Sequence, residues 1–190
     1  MPINIMKDNL LKITRVLNQS LLLFILFSGT TFAQSVEVTL IDKLDGNLSS
    51  YCFDIVGGGN NIDPNKGLQA HTCYSYRGEL GADQAFDPAG IENGVFKLVD
   101  FDVCMTLLNT TADTKVSLET CNGSDQQKLT LGENGHISPL NAPSMCLTAG
   151  KNSVFGRNGT SPHQIKTLTL QSCEPELDAY QQWRTRTKAD

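Results

Sequence analysis

The chain has 190 residues, of which 39% are hydrophobic, and its 20 acidic and 15 basic side chains give a formal net charge of −5 at pH 7. This balance excludes a strongly basic nucleic-acid-binding or membrane-surface protein, because such partners require a cationic face. We therefore expect no nucleic-acid partner. The length is that of one globular domain with a short leader.

The first 33 residues have the features of a secretory signal peptide. Three basic residues lie among the first 15, the apolar run LLLFILF spans Leu21–Phe27, and the small Ala33 follows. The run is shorter than the ~20 residues of a membrane-spanning helix, so we expect no membrane insertion, although an uncleaved anchor is an alternative. We predict cleavage after Ala33, an extracellular or periplasmic location, and a mature domain at 34–190. Removing three basic residues and one acidic residue leaves that domain with a net charge of −7.

Next along the chain come six cysteines and a recurring glutamine triplet. An even number of cysteines in an exported chain predicts disulfide bonds, and the sequence alone leaves their pairing open. The cysteines are Cys52, Cys73, Cys104, Cys121, Cys146 and Cys173. The triplets QAF, QKL and QQW begin at Gln84, Gln127 and Gln181, each after a second cysteine of a consecutive pair.

The same rhythm is visible in the turns and in the apolar pattern. The turn sequence ENG begins at Glu92 and at Glu133, 12 and 13 residues ahead of a cysteine. Apolar residues alternate in short runs, as at Val36, Val38 and Leu40, and glycine- and asparagine-rich turns separate the runs. No stretch of the mature chain keeps an apolar face at helical period. These features predict three tandem β repeats at about 36–91, 92–132 and 133–184, with a tail at 185–190, sharing one core.

This order of motifs resembles the ricin-B-type β-trefoil lectins. The resemblance is based on a run of a cysteine, an apolar residue and an acid (Cys52 to Asp54), followed by a glycine/asparagine turn, a second cysteine and Gln-x-aromatic. The resemblance implies an all-β β-trefoil of twelve strands, a carbohydrate-binding function and no catalysis. We also expect no cofactor and no metal. It also implies disulfides Cys52–Cys73, Cys104–Cys121 and Cys146–Cys173. The triplets' third residues, Phe86, Leu129 and Trp183, would be the core residues of the three repeats.

The resemblance implies one sugar site, in the first repeat. Asp54 stands where the family accepts paired sugar hydroxyls, which a carboxylate does through charge-assisted hydrogen bonds. Threonine replaces it at Thr106 and Thr148, so we expect the other two repeats to be silent. His71 takes the place of the family's stacking ring, and Asp83 takes the place of its amide.

Three further residues complete the predicted site. Gln84 is the glutamine of the first triplet and would brace the local backbone. Tyr74 and Tyr76 lie two residues apart, so on a strand they would face the same side and offer ring surface to a sugar. His136 and His163 stand alone, without metal-ligand spacing around them.

Several alternatives remain open from the sequence. Asp54 could cap the glycine turn through backbone amides, or Asp54 and Asp83 could be the carboxylate pair of a glycosidase. A trefoil scaffold for a protein partner and an accessory module without its own ligand are alternative functions. Galactose-type glycans are the family's commonest ligands and are the first expectation for this chain. The sequence leaves the oligomeric state open.

Overall fold

The computed structural model describes residues 34–189, and over that range the regular secondary structure is mostly β. The strands are β1 (Glu37–Leu40), β2 (Tyr51–Ile55), β3 (Leu68–Thr72), β4 (Lys97–Leu98), β5 (Val103–Thr106), β6 (Ser117–Thr120), β7 (Leu129–Leu131), β8 (Ile137–Pro139), β9 (Met145–Ala149), β10 (Val154–Phe155), β11 (Gln164–Lys166), β12 (Leu168–Ser172) and β13 (Trp183–Arg186). Two short helices join them, α1 (Pro88–Glu92) and α2 (Asp178–Gln181). The predicted signal peptide, at 1–33, lies outside the described residues.

The strands repeat one antiparallel unit three times. The second and third strands of each repeat pair with each other, as β2 with β3, β5 with β6 and β9 with β12. The fourth strand pairs with the first strand of the following repeat, as β7 with β8, and β13 returns to β1. In the first repeat the fourth strand is reduced to Phe86, which bridges Val36 and Leu98. The predicted β-trefoil is therefore confirmed, and the β1–β13 pairing closes its barrel.

The third repeat departs from this unit by one extra hairpin. Strands β10 and β11 lie between β9 and β12, and β11 pairs with β3 of the first repeat, with Ile165 opposite His71. The result is a six-stranded sheet in the order β10-β11-β3-β2-β1-β13. This hairpin brings a loop of the third repeat beside the predicted sugar site of the first.

The core is built from the inward residues of all three repeats. Phe86, Leu129 and Trp183 are each at most 1% exposed, which places all three predicted core residues in it. Phe53 joins them, with its ring centroid 4.4 Å from that of Trp183 and 6.3 Å from that of Phe86. The indole Nε1 donates to the Leu147 carbonyl at 2.9 Å, so the one polar atom of Trp183 is satisfied inside the core.

All three predicted disulfides are present. They join Cys52 to Cys73, Cys104 to Cys121 and Cys146 to Cys173. Each bond links the second strand of a repeat to the residue that follows its third strand, so it fastens the end of the hairpin in that repeat.

The structure moves the boundary of the C-terminal tail. Strand β13 continues to Arg186, and Arg186 forms an ion pair with the fully buried Glu37. Two residues of the predicted tail are therefore part of the barrel. Within the range 34–189, no helix has the length and apolar character needed to cross a bilayer.

Candidate functional site

Asp54 lies beneath the surface of the first repeat. Strand register places it opposite Gln69, and its side chain is 1% exposed. One carboxylate oxygen accepts from Gln69 Nε2 at 2.8 Å, and the other accepts from Gln84 Nε2 at 2.9 Å. Both donors are side-chain amides, whereas the turn-capping alternative required backbone amides of the glycine turn. Both carboxylate oxygens of Asp54 thus already accept a hydrogen bond within the protein. Its predicted contact with a sugar hydroxyl stays a prediction.

The glutamine of each triplet is a brace that recurs in all three repeats. Gln84 Oε1 accepts from the Tyr74 backbone N–H at 2.9 Å, while its Nε2 also donates to the Thr72 carbonyl at 3.2 Å. Gln127 and Gln181 make the corresponding bonds, with their Nε2 groups donating to Thr106 and Thr148. The brace is therefore structural, and the first repeat differs in having a carboxylate under it.

Burial controls the ionisation of the two acids. Burial, and then the neighbouring Asp83 charge, raises the pKa of Asp54 well above its usual range, although the Gln69 and Gln84 amides oppose the shift. Burial also raises the pKa of Asp83. Two carboxyls in one desolvated environment favour holding a proton, because two buried like charges repel each other.

His71 is neutral and has a fixed tautomer. Its Nδ1 lies 2.9 Å from the Thr72 carbonyl, which can only accept, so Nδ1 must carry the proton and donate it. Burial lowers the pKa of His71 to about 4, so the other ring nitrogen, Nε2, carries a lone pair at neutral pH. His71 therefore offers one hydrogen-bond acceptor and one ring edge to the space beside it.

Tyr74 and Tyr76 lie on a turn, so the expected strand geometry is wrong. Tyr74–Arg77 forms a 3-10 helix, and Gly78, with φ of 95°, ends it in the left-handed region that glycine readily adopts. Both tyrosines nevertheless converge on His163. The Tyr74 and His163 ring centroids are 5.4 Å apart, and the Tyr76 hydroxyl lies 3.0 Å from His163 Nε2.

Sequence reasoning missed two residues of this cluster, Arg77 and His163. A guanidinium nitrogen of Arg77 lies 3.0 Å from His163 Nε2, and Arg77 Nε donates to the Tyr76 hydroxyl at 3.0 Å. His163 precedes β11 in the third repeat, so no local pattern connects it with the first. Gln69 was also missed, although its position two residues before His71 on β3 was a usable signal.

A cavity of about 530 Å³ lies over this cluster, between the first repeat and the loop of the third. Of the predicted site residues, His71, Tyr74 and Asp83 line it, and Asp54, Tyr76 and Gln84 do not. The other lining residues are Gly57, Gly58, Gly59, Ile62, Arg77, Ala82, Gly156, Arg157, Thr160, Ser161, Pro162, His163 and Ile165. The cavity thus combines a carboxyl, an imidazole acceptor, a phenol ring and guanidinium donors.

The described residues contain no convincing metal-ligand set. Two groups of acid, histidine and cysteine side chains come close together, around Cys146–Cys173 and around Cys52–Cys73. Both depend on disulfide sulfurs, which are not thiolate ligands.

The three repeats define a β-trefoil domain in which each repeat carries one glutamine brace. Residues 93–190 match the family model described as the ricin-type beta-trefoil lectin domain, which is more than half of the chain. The chain belongs to this family. A search of curated proteins found no match.

Solved structures show the same fold. The mdaA-1 domain is 19% identical, with a TM-score of 0.53 over 80% of this chain and 88% of that one. The agglutinin of Abrus precatorius is 17% identical, with a TM-score of 0.54 over 80% of this chain and 47% of its own. An earthworm lectin C-terminal domain mutant, solved with 6'-sialyllactose, is 11% identical, with a TM-score of 0.53 over 82% and 99%.

Proposed function

We propose that this chain is a secreted lectin that binds one glycan in the cavity over His71, with galactose-type sugars first among its ligands. The observation that carries the proposal is that Asp83, His71 and Tyr74 line one cavity. The Gln84 brace of the same repeat donates to the buried Asp54. Membership in a lectin family and the sugar-bound state of the earthworm relative support it. The leader sequence and the three disulfides support secretion.

Each polar group has a role in this proposal. Asp83, and not Asp54 as predicted from the sequence, accepts sugar hydroxyls in this proposal, because Asp83 lines the cavity and Asp54 does not. His71 Nε2 accepts a second hydroxyl, and Arg77 donates to a ring or hydroxyl oxygen. The Tyr74 ring covers the apolar C–H face of the sugar.

Binding is a better account of the two acids than glycoside hydrolysis. A glycosidase needs two carboxyl groups that flank the scissile bond, one on each side. Asp54 is shielded by the amides of Gln69 and Gln84, so only Asp83 faces the cavity. A single small site of this kind should bind a monosaccharide weakly, in roughly the millimolar to micromolar range.

A glycan array followed by calorimetric titration tests the proposal. The wild type should bind galactosides, His71→Ala and Asp83→Ala should each weaken binding at least tenfold, and His136→Ala should leave it unchanged. His136 is the matched control because it lies in the third repeat, where it contacts Asp178 and does not line the cavity. A wild-type protein that binds no glycan on the array would overturn the lectin proposal.

A protein partner is the second candidate, favoured by the edge strand β10. Its two residues, Val154 and Phe155, are 64% and 50% exposed, and an apolar edge strand is a common docking element. If the array is blank and a V154D/F155D variant abolishes capture of a partner from the secretion medium, this candidate replaces the lectin.

A further inference from the structure

A second cavity opens where the three repeats meet. The position five residues before the second cysteine holds a buried aliphatic residue in each repeat, Leu68, Val116 and Leu168. The Leu68 backbone N–H donates to the Val116 carbonyl at 3.1 Å, which joins the first two repeats there. A cavity of about 550 Å³ is lined by Leu68 and Leu168 and by other residues from all three repeats.

The apolar wall of this cavity includes the extra hairpin of the third repeat. Val154 of β10 and Ile165 of β11 are paired directly opposite each other, so their side chains lie on the same face of the hairpin. Both line the cavity, and its other aliphatic lining residues are Val56, Leu68 and Leu168, so we refer to it as the aliphatic cavity. Among the described residues that line it, none is aromatic. The aliphatic cavity therefore has no ring to cover the C–H face of a sugar.

The charged part of the lining is cationic. No aspartate or glutamate is among the described residues that line the aliphatic cavity, and four lysines are, Lys66, Lys115, Lys151 and Lys166. Most of the lining comes from residues 134–173, a stretch of 40 residues that contains none of the 20 acids of the chain. Because a concave wall focuses the field of its charges, this local reversal of the overall negative charge should attract anions.

Two of the four lysines carry charge that the protein does not neutralise. Lys166 and Lys66 each have an aspartate partner, at 2.8 Å and 3.7 Å. Across residues 34–189, Lys115 and Lys151 are exposed and form no ion pair. The free positive charge of the aliphatic cavity therefore belongs to Lys115 and Lys151.

An adjoining cavity of about 520 Å³ shares these two exposed lysines but is a different site. Thr148, the counterpart of Asp54, lines it together with Asp113, so it occupies the place of a sugar cavity in the third repeat. The aliphatic side chains of Val154 and Ile165 do not line it. A ligand that contacts both the lysines and these aliphatic side chains therefore lies in the aliphatic cavity.

We propose that the aliphatic cavity binds an amphipathic anion, an aliphatic chain that ends in a carboxylate or phosphate group. The anionic group pairs with the ammonium groups of Lys115 and Lys151 through charge-assisted hydrogen bonds. The chain lies on Val154 and Ile165, where its burial is favourable because apolar surface leaves water. An inorganic anion would leave the aliphatic wall uncovered, and an uncharged chain would leave both lysines without a counter-charge. The site does not include His71 and does not depend on the function proposed for the cavity over that residue.

Calorimetric titration of the full mature chain with decanoate, below its micelle concentration and at about 50 mM salt, tests this site. Acetate has the anionic group alone, and decyltrimethylammonium has the same chain with a positive group. Decanoate should bind, and each of the other two should bind about tenfold more weakly or less. Vesicles of phosphatidylglycerol, compared with vesicles of phosphatidylcholine, test whether such a chain is bound from a bilayer.

A pair of charge variants tests the role of the two lysines. Lys115→Gln/Lys151→Gln should lose about tenfold in decanoate affinity, because both counter-charges are gone. Lys43→Gln/Lys188→Gln changes the net charge equally at exposed lysines outside the cavity and should bind decanoate as the wild type does.

A pair of apolar variants tests the position of the chain. Val154→Ser should lose about threefold in decanoate affinity, because it removes part of the aliphatic wall. Leu140→Ser alters a similarly exposed side chain that does not line the cavity, at 60% exposure against 64% for Val154, and should leave the affinity unchanged. Thermal unfolding of all these variants should match the wild type, since each altered side chain is exposed.

Two further titrations separate this site from the sugar cavities. His71→Ala should keep its decanoate affinity whether or not it binds a glycan, and excess galactose should not displace decanoate. Four results would overturn the proposal: no binding of decanoate or of phosphatidylglycerol vesicles, equal binding of acetate or decyltrimethylammonium, equal losses in a variant and its matched control, or displacement by galactose. Selective binding of decanoate, of phosphatidylglycerol vesicles or of both supports the site and identifies the source of the chain.

Discussion

At the scale of single residues, Asp54 differs from its threonine counterparts in the number of donors that it needs. The hydroxyls of Thr106 and Thr148 each donate to a cysteine carbonyl and accept from one glutamine. A carboxyl group has two oxygens where a hydroxyl has one, so Asp54 has a second acceptor atom, which the Gln69 amide satisfies. The first repeat consequently has an added polar layer below its cavity.

The glutamine brace should be worth more in the first repeat than in the second. Gln84→Ala leaves one buried oxygen of the Asp54 carboxyl group without its donor, whereas after Gln127→Ala the Thr106 hydroxyl still donates to the Cys104 carbonyl. We expect losses in the free energy of unfolding of about 3 kcal/mol for Gln84→Ala and about 2 kcal/mol for Gln127→Ala. Urea unfolding at pH 7 measures both. An equal or smaller loss in Gln84→Ala would show that Asp54 does not depend on this amide.

His71 should make the fold sensitive to mild acid. Its folded pKa of about 4 lies below the ordinary value of 6.5, so only the unfolded chain takes up this proton between those values. The stabilisation is complete above pH 6.5 and is lost as the pH falls toward 4, by up to about 3 kcal/mol. Relative to His71→Gln, the wild type should lose stability across this window in urea unfolding. Parallel pH profiles would contradict the neutral, buried imidazole.

The residues of the candidate site could be predicted from the sequence to different degrees. His71 and Asp83 could be placed by counting from the second cysteine and from the glutamine triplet, and both line the cavity. The burial of Asp54 could not be deduced, because it depends on where the amides of Gln69 and Gln84 settle in three dimensions. His163 was out of reach since its partners lie more than 80 residues away in the chain.

At the scale of secondary-structure elements, the start of β3 depends on a glycine that touches another repeat. Gly67 has φ of 76°, and a Cβ there would lie 2.3 Å from the Val116 carbonyl oxygen. Gly59 also has a positive φ, of 55°, but a Cβ there would meet no atom within 4 Å. An alanine at Gly59 would therefore cause backbone strain alone, whereas an alanine at Gly67 would cause backbone strain and a steric clash.

Alanine at these two positions should have unequal effects. Gly59→Ala should cost about 1 kcal/mol, the ordinary penalty of a left-handed alanine. Gly67→Ala should cost about 3 kcal/mol or more, because it adds a clash with backbone that holds two repeats together. Thermal or urea unfolding gives both values, and similar losses would mean that the Gly67–Val116 contact relaxes readily.

At the scale of the whole molecule, the barrel is closed by the two ends of the described chain. Strand β13 pairs with β1 from Leu40↔Trp183 to Glu37↔Arg186, and Arg186 neutralises the buried Glu37. The spacing of cysteines and glutamine triplets predicted the three tandem repeats, whereas the disulfide pairing was implied by the resemblance to the ricin-B-type lectins. The rhythm could not predict the extra β10–β11 hairpin, because an insertion in one copy has no counterpart in the others.

Two C-terminal deletions should therefore differ sharply. Deleting 187–190 removes only residues beyond β13 and should leave the free energy of unfolding within about 0.5 kcal/mol of the wild type. Deleting 185–190 also removes Arg186 and leaves Glu37 as an unpaired buried charge, at a cost of about 3–5 kcal/mol. Urea unfolding of the two chains tests the closure, and equal stability would place the barrel boundary before residue 185.

The most direct test of the central claim is a nuclear magnetic resonance titration of the isotope-labelled chain with the tightest-binding glycan from the array. Chemical-shift changes should concentrate at Gly57–Gly59, His71, Tyr74, Asp83 and the loop before His163, and they should disappear in the His71→Ala variant. Changes that instead cluster around Thr106 or Thr148, the counterparts of Asp54 in the other two repeats, and persist in His71→Ala would contradict a sugar site between the first repeat and the third-repeat loop.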